Sequence, residues 1–224
     1  MKLSSNTISV LKNYASINQN LVIKEGKEIT TMSAMKNIVA RAEVEEEFTQ
    51  EVAIYDLNEF LSCISLFQSP NLEFESTFVT ITEENKPTTK MKYFYSDPSV
   101  VTTPSKMITM PSNEITFTLD SATLSDITKA SAVISSADLV LENTNGTPSL
   151  TVKDKKNDTA NNYSLDVDTT SDGEFNFYFK VENMKLLDGN YDVEISSKNI
   201  SHYTNKSTDI EYWIALEPES TYTV

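Results

Sequence analysis

One unit, an amphipathic helical stretch followed by about three strand-like runs, occurs four times along the 224 residues and constrains the fold most. In the first unit, Ile8, Leu11 and Ala15 share one face of a helix. The predicted helices are Ser4–Ser16, one capped by Asp56, one capped by Asp120, and Val181–Leu187. About four helices among many strands exclude both an all-β sandwich and a parallel βαβ fold. The repeat therefore predicts an α+β protein.

A proline-rich segment separates the second repeat from the third. Asp97-Pro98 through Pro104 to Pro111 holds three of the seven prolines, and each proline removes a backbone donor. We therefore predict an N-terminal domain at residues 1–96, a linker at 97–112 and a C-terminal domain at 113–224. Each domain is predicted to pack two helices on a curved antiparallel sheet.

The composition is that of a folded and strongly acidic protein. The formal net charge is −15, and Arg41 is the only arginine. Such a charge repels nucleic acid at long range, so composition by itself argues against DNA binding. No apolar run approaches the length of a membrane helix, and the N-terminus lacks the apolar stretch of a signal peptide. Cys63 is the only cysteine, which excludes an internal disulfide and fits a reducing cytoplasm.

Catalytic and metal-binding patterns are weak. His202 is the only histidine, no Gly-x-Ser-x-Gly motif is present, and four glycines do not make a phosphate-binding loop. Cys63 lies among apolar residues and is predicted to be a small buried side chain. The acidic run from Asp166 to Gly173 resembles a calcium loop, but Phe179 stands where the loop requires a glutamate. We predict no enzyme activity, no cofactor and no metal. The acidic run of residues 45–47 is predicted to be a solvated edge.

Several segments, in constant order along the chain, resemble the DNA polymerase sliding clamps of T-even-like bacteriophages. They include Lys2-Leu3-Ser4, Val52 to Asn58, Asp97-Pro98-Ser99, Phe175-Asn176-Phe177 and Ala215-Leu216-Glu217. The resemblance implies the sliding-clamp fold and a two-domain subunit. It also implies a head-to-tail trimeric ring around double-stranded DNA in the cytoplasm of the infected bacterial host. The implied partners are the phage DNA polymerase, a clamp loader and late-transcription proteins.

Two sets of residues are then candidate sites. In a ring, the helix faces opposite the apolar stripes face the hole, so Lys12 and Lys129 are predicted to face DNA, with Lys2 and Lys185 as weaker candidates. At the positions near Ser5 and Ala132 the family more typically carries cations, so the predicted lining is weakly basic.

The second predicted site is an apolar groove for a peptide of the polymerase, by analogy with clamp grooves. Its residues are Met107, Ile108, Trp213, Leu216 and Pro218. Alternatively, Trp213 and Leu216 are core residues. The alternative function is an acidic β-rich phage structural or adhesion protein with no DNA role, which a helix-free fold would support.

Overall fold

The computed structural model describes residues 1–143, 146–157, 159–171 and 173–223. Its internal contacts divide the chain into two compact units, Met1–Met107 and Ile108–Val224. The division falls inside the segment predicted to be a linker. Each unit contains helices and antiparallel strands, so the predicted α+β class is confirmed.

The first unit combines two helices with two antiparallel sheets. One sheet has the order β4-β1-β2-β3 and the other β5-β6-β7. A single 3₁₀ turn, Pro98–Val100, follows the last strand. The elements are α1 (Ser5–Ile17), β1 (Leu21–Ile23), β2 (Gly26–Met32), β3 (Ile38–Phe48), β4 (Val52–Ile54), α2 (Leu57–Ser65), β5 (Pro70–Phe74), β6 (Phe78–Glu83) and β7 (Lys86–Phe94).

Helix α1 is amphipathic, although its buried face differs from the predicted one. Leu11 is fully buried as predicted, whereas Ile8 and Ala15 are only half-buried. The buried face instead consists of Thr7, Val10, Leu11, Tyr14 and Ile17. Pattern counting missed this face because Thr7 and Tyr14 carry hydroxyls. The Tyr14 hydroxyl donates to the carbonyl oxygen of Ile29 at 3.2 Å, so the ring is buried without an unpaired polar atom.

The second unit has one α-helix among its described residues and two antiparallel sheets. The sheet orders are β15-β14-β13-β8 and β11-β10-β9-β12-β16. The elements are β8 (Ile115–Leu119), α3 (Ser121–Ile134), β9 (Asp138–Asn143), β10 (Ser149–Lys153), β11 (Tyr163–Asp166), β12 (Glu174–Lys180), β13 (Tyr191–Ser196), β14 (Ile200–Asn205), β15 (Ile210–Ala215) and β16 (Thr221–Thr223).

The alternating aromatic residues of β12 form part of the core of this unit. Phe175, Phe177 and Phe179 are each 1% exposed, as the period-two pattern of the sequence predicts. The neighbouring strand β9 is buried along most of its length, including Leu139 and Leu141, which pair with Phe179 and Phe177.

The predicted fourth helix, Val181–Leu187, is wrong. The chain makes a 3₁₀ turn over Val181–Asn183, and Met184 leaves helical geometry at ψ 51°. Lys180, at the start of the turn, offers no side-chain cap, and a segment this short does not sustain a helix by itself. Two tyrosines hold the backbone of Leu187 instead. Its N–H donates to the Tyr212 hydroxyl at 3.1 Å, and its carbonyl accepts from the Tyr191 hydroxyl at 2.5 Å.

Candidate nucleic-acid interface and partner groove

The exposed face of α1 carries a single cation and no acid. Ser5, Ser9, Lys12 and Ser16 are all exposed, and their spacing of four, three and four residues places them along one stripe. Ser9 donates to the Ser5 carbonyl at 2.9 Å and Ser16 to the Asn13 carbonyl at 2.6 Å, so these hydroxyls lie against the helix. Lys12 is therefore the longest side chain and the only charged one on this stripe.

The N-terminus of α1 is fixed by a cap that comes partly from a distant strand. The Ser4 hydroxyl accepts from the Thr7 backbone N–H at 3.1 Å. The Glu46 carboxylate, on β3, accepts from the Ser4 backbone N–H and from the Thr7 hydroxyl. Glu46 thus performs the reciprocal half of a capping box from 42 residues away in sequence. Of the acidic run predicted to be a solvated edge, Glu45 and Glu47 are exposed but Glu46 has this specific role.

These hydrogen bonds also decide the ionisation of Glu46. Its partial burial opposes the charged form, but the hydrogen bonds from Thr7 and Ser4 outweigh that effect and lower the pKa below the usual 4.5. A carboxylate beside a helix N-terminus is also stabilised by the helix dipole. Glu46 is therefore a charged anchor that ties the N-terminus of α1 to β3.

Helix α2 begins at the predicted cap. The Asp56 carboxylate accepts from the backbone N–H of Glu59 at 3.0 Å. The exposed positions Asn58, Ser62 and Ser65 again form a stripe of small neutral side chains. Glu59 is exposed as well, so this helix offers no net positive charge.

Helix α3 presents Lys129 on its exposed face, as predicted, but next to an acid. Asp120 caps the helix by accepting from the Thr123 N–H at 2.7 Å, and this hydrogen bond lowers the pKa of Asp120. Lys129 Nζ lies 3.6 Å from the Asp126 carboxylate, one turn earlier on the same face. Both side chains are mostly exposed, so the pair is weak, but the acid leaves this face of α3 with no net positive charge at the pair.

The two weaker candidates, Lys2 and Lys185, do not lie on helices. Lys2 precedes α1 and pairs with Glu84 at 2.6 Å, with both side chains about half-exposed. Lys185 is half-buried in the segment without regular secondary structure that follows the 3₁₀ turn. Among the four lysines, Lys12 combines exposure, a helical position and an acid-free surrounding face.

The residues predicted to form the peptide groove differ in accessibility. Trp213 and Leu216 are each only 6% exposed, whereas Met107 is 38% exposed, Pro218 is exposed and Ile108 is half-buried. The Trp213 ring stacks on His202 at 4.7 Å between centroids. The His202 nitrogens lie 3.2 Å from Glu194 and 3.0 Å from Glu211, so the histidine belongs to a structural cluster.

The other candidate chemistries receive no support from the described residues. Cys63 is buried, and burial together with the nearby Glu59 charge raises the pKa of its thiol, which disfavours a reactive thiolate. Within the described residues, no group of three or more His, Cys, Asp and Glu side chains could hold a metal ion. Asp172, part of the acidic run that resembles a calcium loop, lies outside them. No described helix is long and apolar enough to cross a membrane.

A partly buried ionic cluster in the second unit was missed by sequence reasoning. Lys155 Nζ lies 3.1 Å from Glu217 and 3.9 Å from Asp138, and it also bonds to Glu219. Lys180 pairs with the same Asp138. The hydrogen bond to Glu219 is the main reason that the pKa of Lys155 is raised. No local pattern signals this cluster, because its members come from four separate segments.

Comparisons with known proteins agree along the whole chain. Residues 2–103 match a family model described as DNA polymerase processivity factor, and residues 116–218 match one described as gp45 sliding clamp, C terminal. The sliding clamp of Vibrio phage KVP40 is 33% identical over 97% of this chain and 99% of its own length. The sliding clamps of Escherichia phage RB69 and Enterobacteria phage T4 are 30% and 29% identical, each over 99% of both chains.

Solved structures share the fold at much lower identity. The proliferating cellular nuclear antigen of Entamoeba histolytica covers 94% of this chain and 94% of its own at a TM-score of 0.66 and 17% identity. The A. fulgidus PCNA, solved with the C-terminal region of FEN-1, covers 96% of both chains at a TM-score of 0.69 and 12% identity. At these identities the likeness concerns the fold alone.

Proposed function

The chain belongs to the sliding-clamp family of phage DNA polymerase processivity factors, and on that premise we propose that it closes as a head-to-tail trimeric ring around duplex DNA. Members of this family act in DNA replication and are not enzymes. The proposed ring tethers the replicative polymerase so that synthesis becomes processive. It acts in the cytoplasm of the infected host, where it is opened by a clamp loader and also serves late-transcription proteins.

The acid-free face of α1 is the observation that carries the DNA part of this proposal. In a chain with net charge −15, the stripe of Ser5, Ser9, Lys12 and Ser16 holds no carboxylate. A face of small hydroxyls and one flexible ammonium group suits loose contact with phosphates, directly or through water. Tight contacts would slow a ring that is retained by its closed topology and not by affinity.

Lys129 is the second proposed contact, and Lys2 and Lys185 are weaker ones. Three copies of Lys12 and Lys129 would present six ammonium groups to the DNA. If all six neutralise phosphates, the logarithm of affinity for free DNA falls with the logarithm of salt with a slope of about −5. The Asp126 partner of Lys129 makes a shallower slope the expected result, because that lysine is already partly neutralised.

We also propose that an extended peptide of the polymerase binds beside Met107, Ile108, Trp213, Leu216 and Pro218. Met107 and Pro218 are the exposed members of this set and can be reached by a peptide without rearrangement. Aromatic and aliphatic anchors that become buried carry most of the energy in such interfaces. Trp213 would contribute as a supporting wall, because its ring is already buried against His202.

The alternative of a β-rich structural or adhesion protein does not fit these findings. A helix-free fold would have supported it, and the described residues contain three α-helices. The family match across both halves of the chain points in the same direction.

The proposed ring is tested by whether the protein stays on circular DNA and slides off linear DNA. With the loader and polymerase of the same phage, the protein should remain on a nicked circular duplex and be lost when that circle is cut once. Native mass spectrometry at micromolar protein should give three times the 25.1 kDa chain mass. Equal retention on circular and linear DNA, or a monomer at every concentration, would refute the ring.

A further inference from the structure

We propose that Asn18 and Asn20 are positioning residues for the peptide groove, because they hold the end of the first unit in the place where Met107 meets the polymerase peptide. The segment concerned is residues 101–107, the last part of that unit, which we call the strap. This role rests on the proposed binding of the polymerase peptide, and it adds the residues that keep one side of the groove in position. Neither asparagine is proposed to touch the peptide.

The strap packs against a sheet of the first unit. Val101, at its start, is buried and forms one apolar cluster with Val22 of β1 and Ala53 of β4. Pro104 is also buried, and together with Val22 and Met107 it lines a cavity of about 190 Å³. The strap therefore follows the sheet as far as Met107, whose side chain stays accessible.

The turn after α1 holds the backbone of Thr102, one residue into the strap. The Thr102 N–H donates to Asn20 Oδ1 at 3.2 Å, and the Thr102 carbonyl accepts from Asn18 Nδ2 at 3.4 Å. The second bond is the longer and therefore the weaker of the two. Thr102 is itself exposed, so burial of its side chain does not hold it. The two asparagines thus fix the strap at a residue that apolar packing leaves unsupported.

Asn18 is fixed by contacts of its own. It is buried at the C-terminus of α1, where its backbone N–H donates to the Tyr14 carbonyl at 2.8 Å. Its Nδ2 also donates to the Met32 carbonyl of β2 at 2.8 Å, and its Oδ1 accepts from the Asn20 backbone N–H at 3.1 Å. An amide that uses both its donor and its acceptor in this way has one orientation. Asn18 therefore orients Asn20 as well as the strap.

The residue between the two asparagines contacts a different element. The Gln19 carbonyl accepts from the Leu57 N–H, the first of α2, at 2.7 Å. The Gln19 side chain donates through Nε2 to the Asp56 carboxylate at 3.2 Å. The turn therefore joins α1, α2 and the strap, with the asparagine side chains serving the strap and the glutamine side chain serving α2. This division provides a matched control within three residues.

A docked strap lowers the cost of binding the peptide. When binding requires the docked strap, the apparent affinity is the intrinsic affinity multiplied by the fraction of molecules in which the strap is docked. Without the Asn20 contact, Thr102 keeps only the longer bond from Asn18, and water competes for its N–H. If the docked fraction falls to about one-fifth, Kd for the peptide rises about fivefold. The asparagines thus act on binding through the strap.

Replacing Asn20 tests this role. Asn20→Ala removes the acceptor of the Thr102 N–H, whereas Asn20→Asp keeps an acceptor oxygen in the same position. The replicative polymerase of the same phage is titrated with each variant. We expect Asn20→Ala to raise Kd about threefold to tenfold and Asn20→Asp to leave it within about twofold of wild type. Rescue by aspartate distinguishes this hydrogen bond from side-chain packing in general.

Hydrogen–deuterium exchange of the Thr102 amide gives a readout at the strap itself. This amide should exchange faster in Asn20→Ala than in wild type or Asn20→Asp. Gln19→Ala is the matched control, because it removes the bond to Asp56 from the same turn and leaves both strap bonds. It should change neither the exchange nor the polymerase Kd. Thermal unfolding checks that each variant is folded, and Asn20→Ser, whose oxygen lies one bond closer to the backbone, replaces Asn20→Ala if that variant unfolds.

The outcomes separate the positioning role from the proposed function. Equal polymerase affinity in wild type and Asn20→Ala, with faster exchange at Thr102, overturns the positioning role and leaves peptide binding in place. An unchanged exchange rate in Asn20→Ala overturns the contact itself. An equal loss of affinity in Gln19→Ala, or no rescue in Asn20→Asp, also overturns the role, because the turn would then act through general stability. A wild-type protein that does not bind the polymerase overturns the proposed peptide binding and this role with it.

Discussion

Replacing Glu46 tests whether a long-range cap sets the position of α1, the helix that carries Lys12. Glu46→Gln keeps the shape of the side chain and removes its charge. The amide oxygen can still accept from the Ser4 N–H, and the amide NH₂ can donate to the Thr7 hydroxyl. Glu46→Ala removes both bonds and leaves the Ser4 N–H without this acceptor. The two variants therefore separate the stabilisation that comes from the charge of Glu46 from the stabilisation that comes from its hydrogen bonds.

The magnitude follows from the two hydrogen bonds. A hydrogen bond to a charged group contributes about 1.5–3 kcal/mol, against about 0.5–1.5 kcal/mol for a neutral one. The carboxylate is partly exposed, so solvent screening reduces the charge contribution to about 1 kcal/mol in total. We expect Glu46→Gln to lower the free energy of unfolding by about 1 kcal/mol and Glu46→Ala by about 2 kcal/mol. For a chain of this size, about 1 kcal/mol corresponds to a Tm lower by about 2–4 °C.

The pH dependence has a definite sign. Because folding lowers the pKa of Glu46, its charge stabilises the folded state fully above the unfolded pKa, and that stabilisation is lost as pH falls through the folded pKa. The Tm difference between wild type and Glu46→Gln should therefore be constant near pH 7 and shrink below about pH 4.

Thermal unfolding at equal protein concentration, from pH 3 to 8, measures this difference. The exposed neighbour Glu45 is the matched control, and Glu45→Gln should shift Tm by less than about 1 °C. Equal Tm values for wild type and Glu46→Gln at pH 7, or a difference that does not change with pH, would refute the role of this carboxylate.

Three further results are expected. Lys12→Glu with Lys129→Glu should leave the fold and the trimer intact but impair processivity at low salt, and unaltered processivity would place the DNA elsewhere. Met107→Ala with Ile108→Ala should weaken polymerase binding by about tenfold or more in a titration, whereas unchanged binding would remove the linker from the groove. Lys155→Met should lower the free energy of unfolding by about 2 kcal/mol, because it leaves several acids facing one another. An unchanged midpoint of chemical denaturation at pH 7 would contradict this expectation.

The sequence alone predicted the elements whose causes are local. Asp56 and Asp120 were identified as helix caps because a short acidic side chain before an apolar period is a local signal, and both accept the expected backbone N–H. The apolar residues from Phe175 to Phe179 and from Ile115 to Leu119 alternate along the sequence, as they must in a strand with one buried face, and the alternating residues are buried. The family, too, was evident from segments in constant order.

The predictions that failed depended on partners distant in sequence. The fourth helix was predicted from a short apolar segment, but the hydroxyls of Tyr191 and Tyr212 hydrogen-bond the backbone of Leu187, which lies outside any helix. Glu46 was assigned to a solvated edge because its partners, Ser4 and Thr7, lie about forty residues earlier. A local pattern contains no information about which strand will carry a side chain to a helix terminus.

For the candidate site, the sequence determined which helices carry cations. The tertiary structure decided whether an acidic side chain lies close enough to pair with each of them. Periodicity predicted that Lys12 and Lys129 lie away from the apolar stripes of their helices, and both side chains are exposed. Their surroundings differ because Asp126 stands one turn from Lys129, whereas serines flank Lys12 on its exposed stripe. Likewise, only the assembled sheets make β7 and β11 edge strands. A strand is an edge strand when no other strand pairs with one of its sides, and this depends on where all the other strands of the sheet lie.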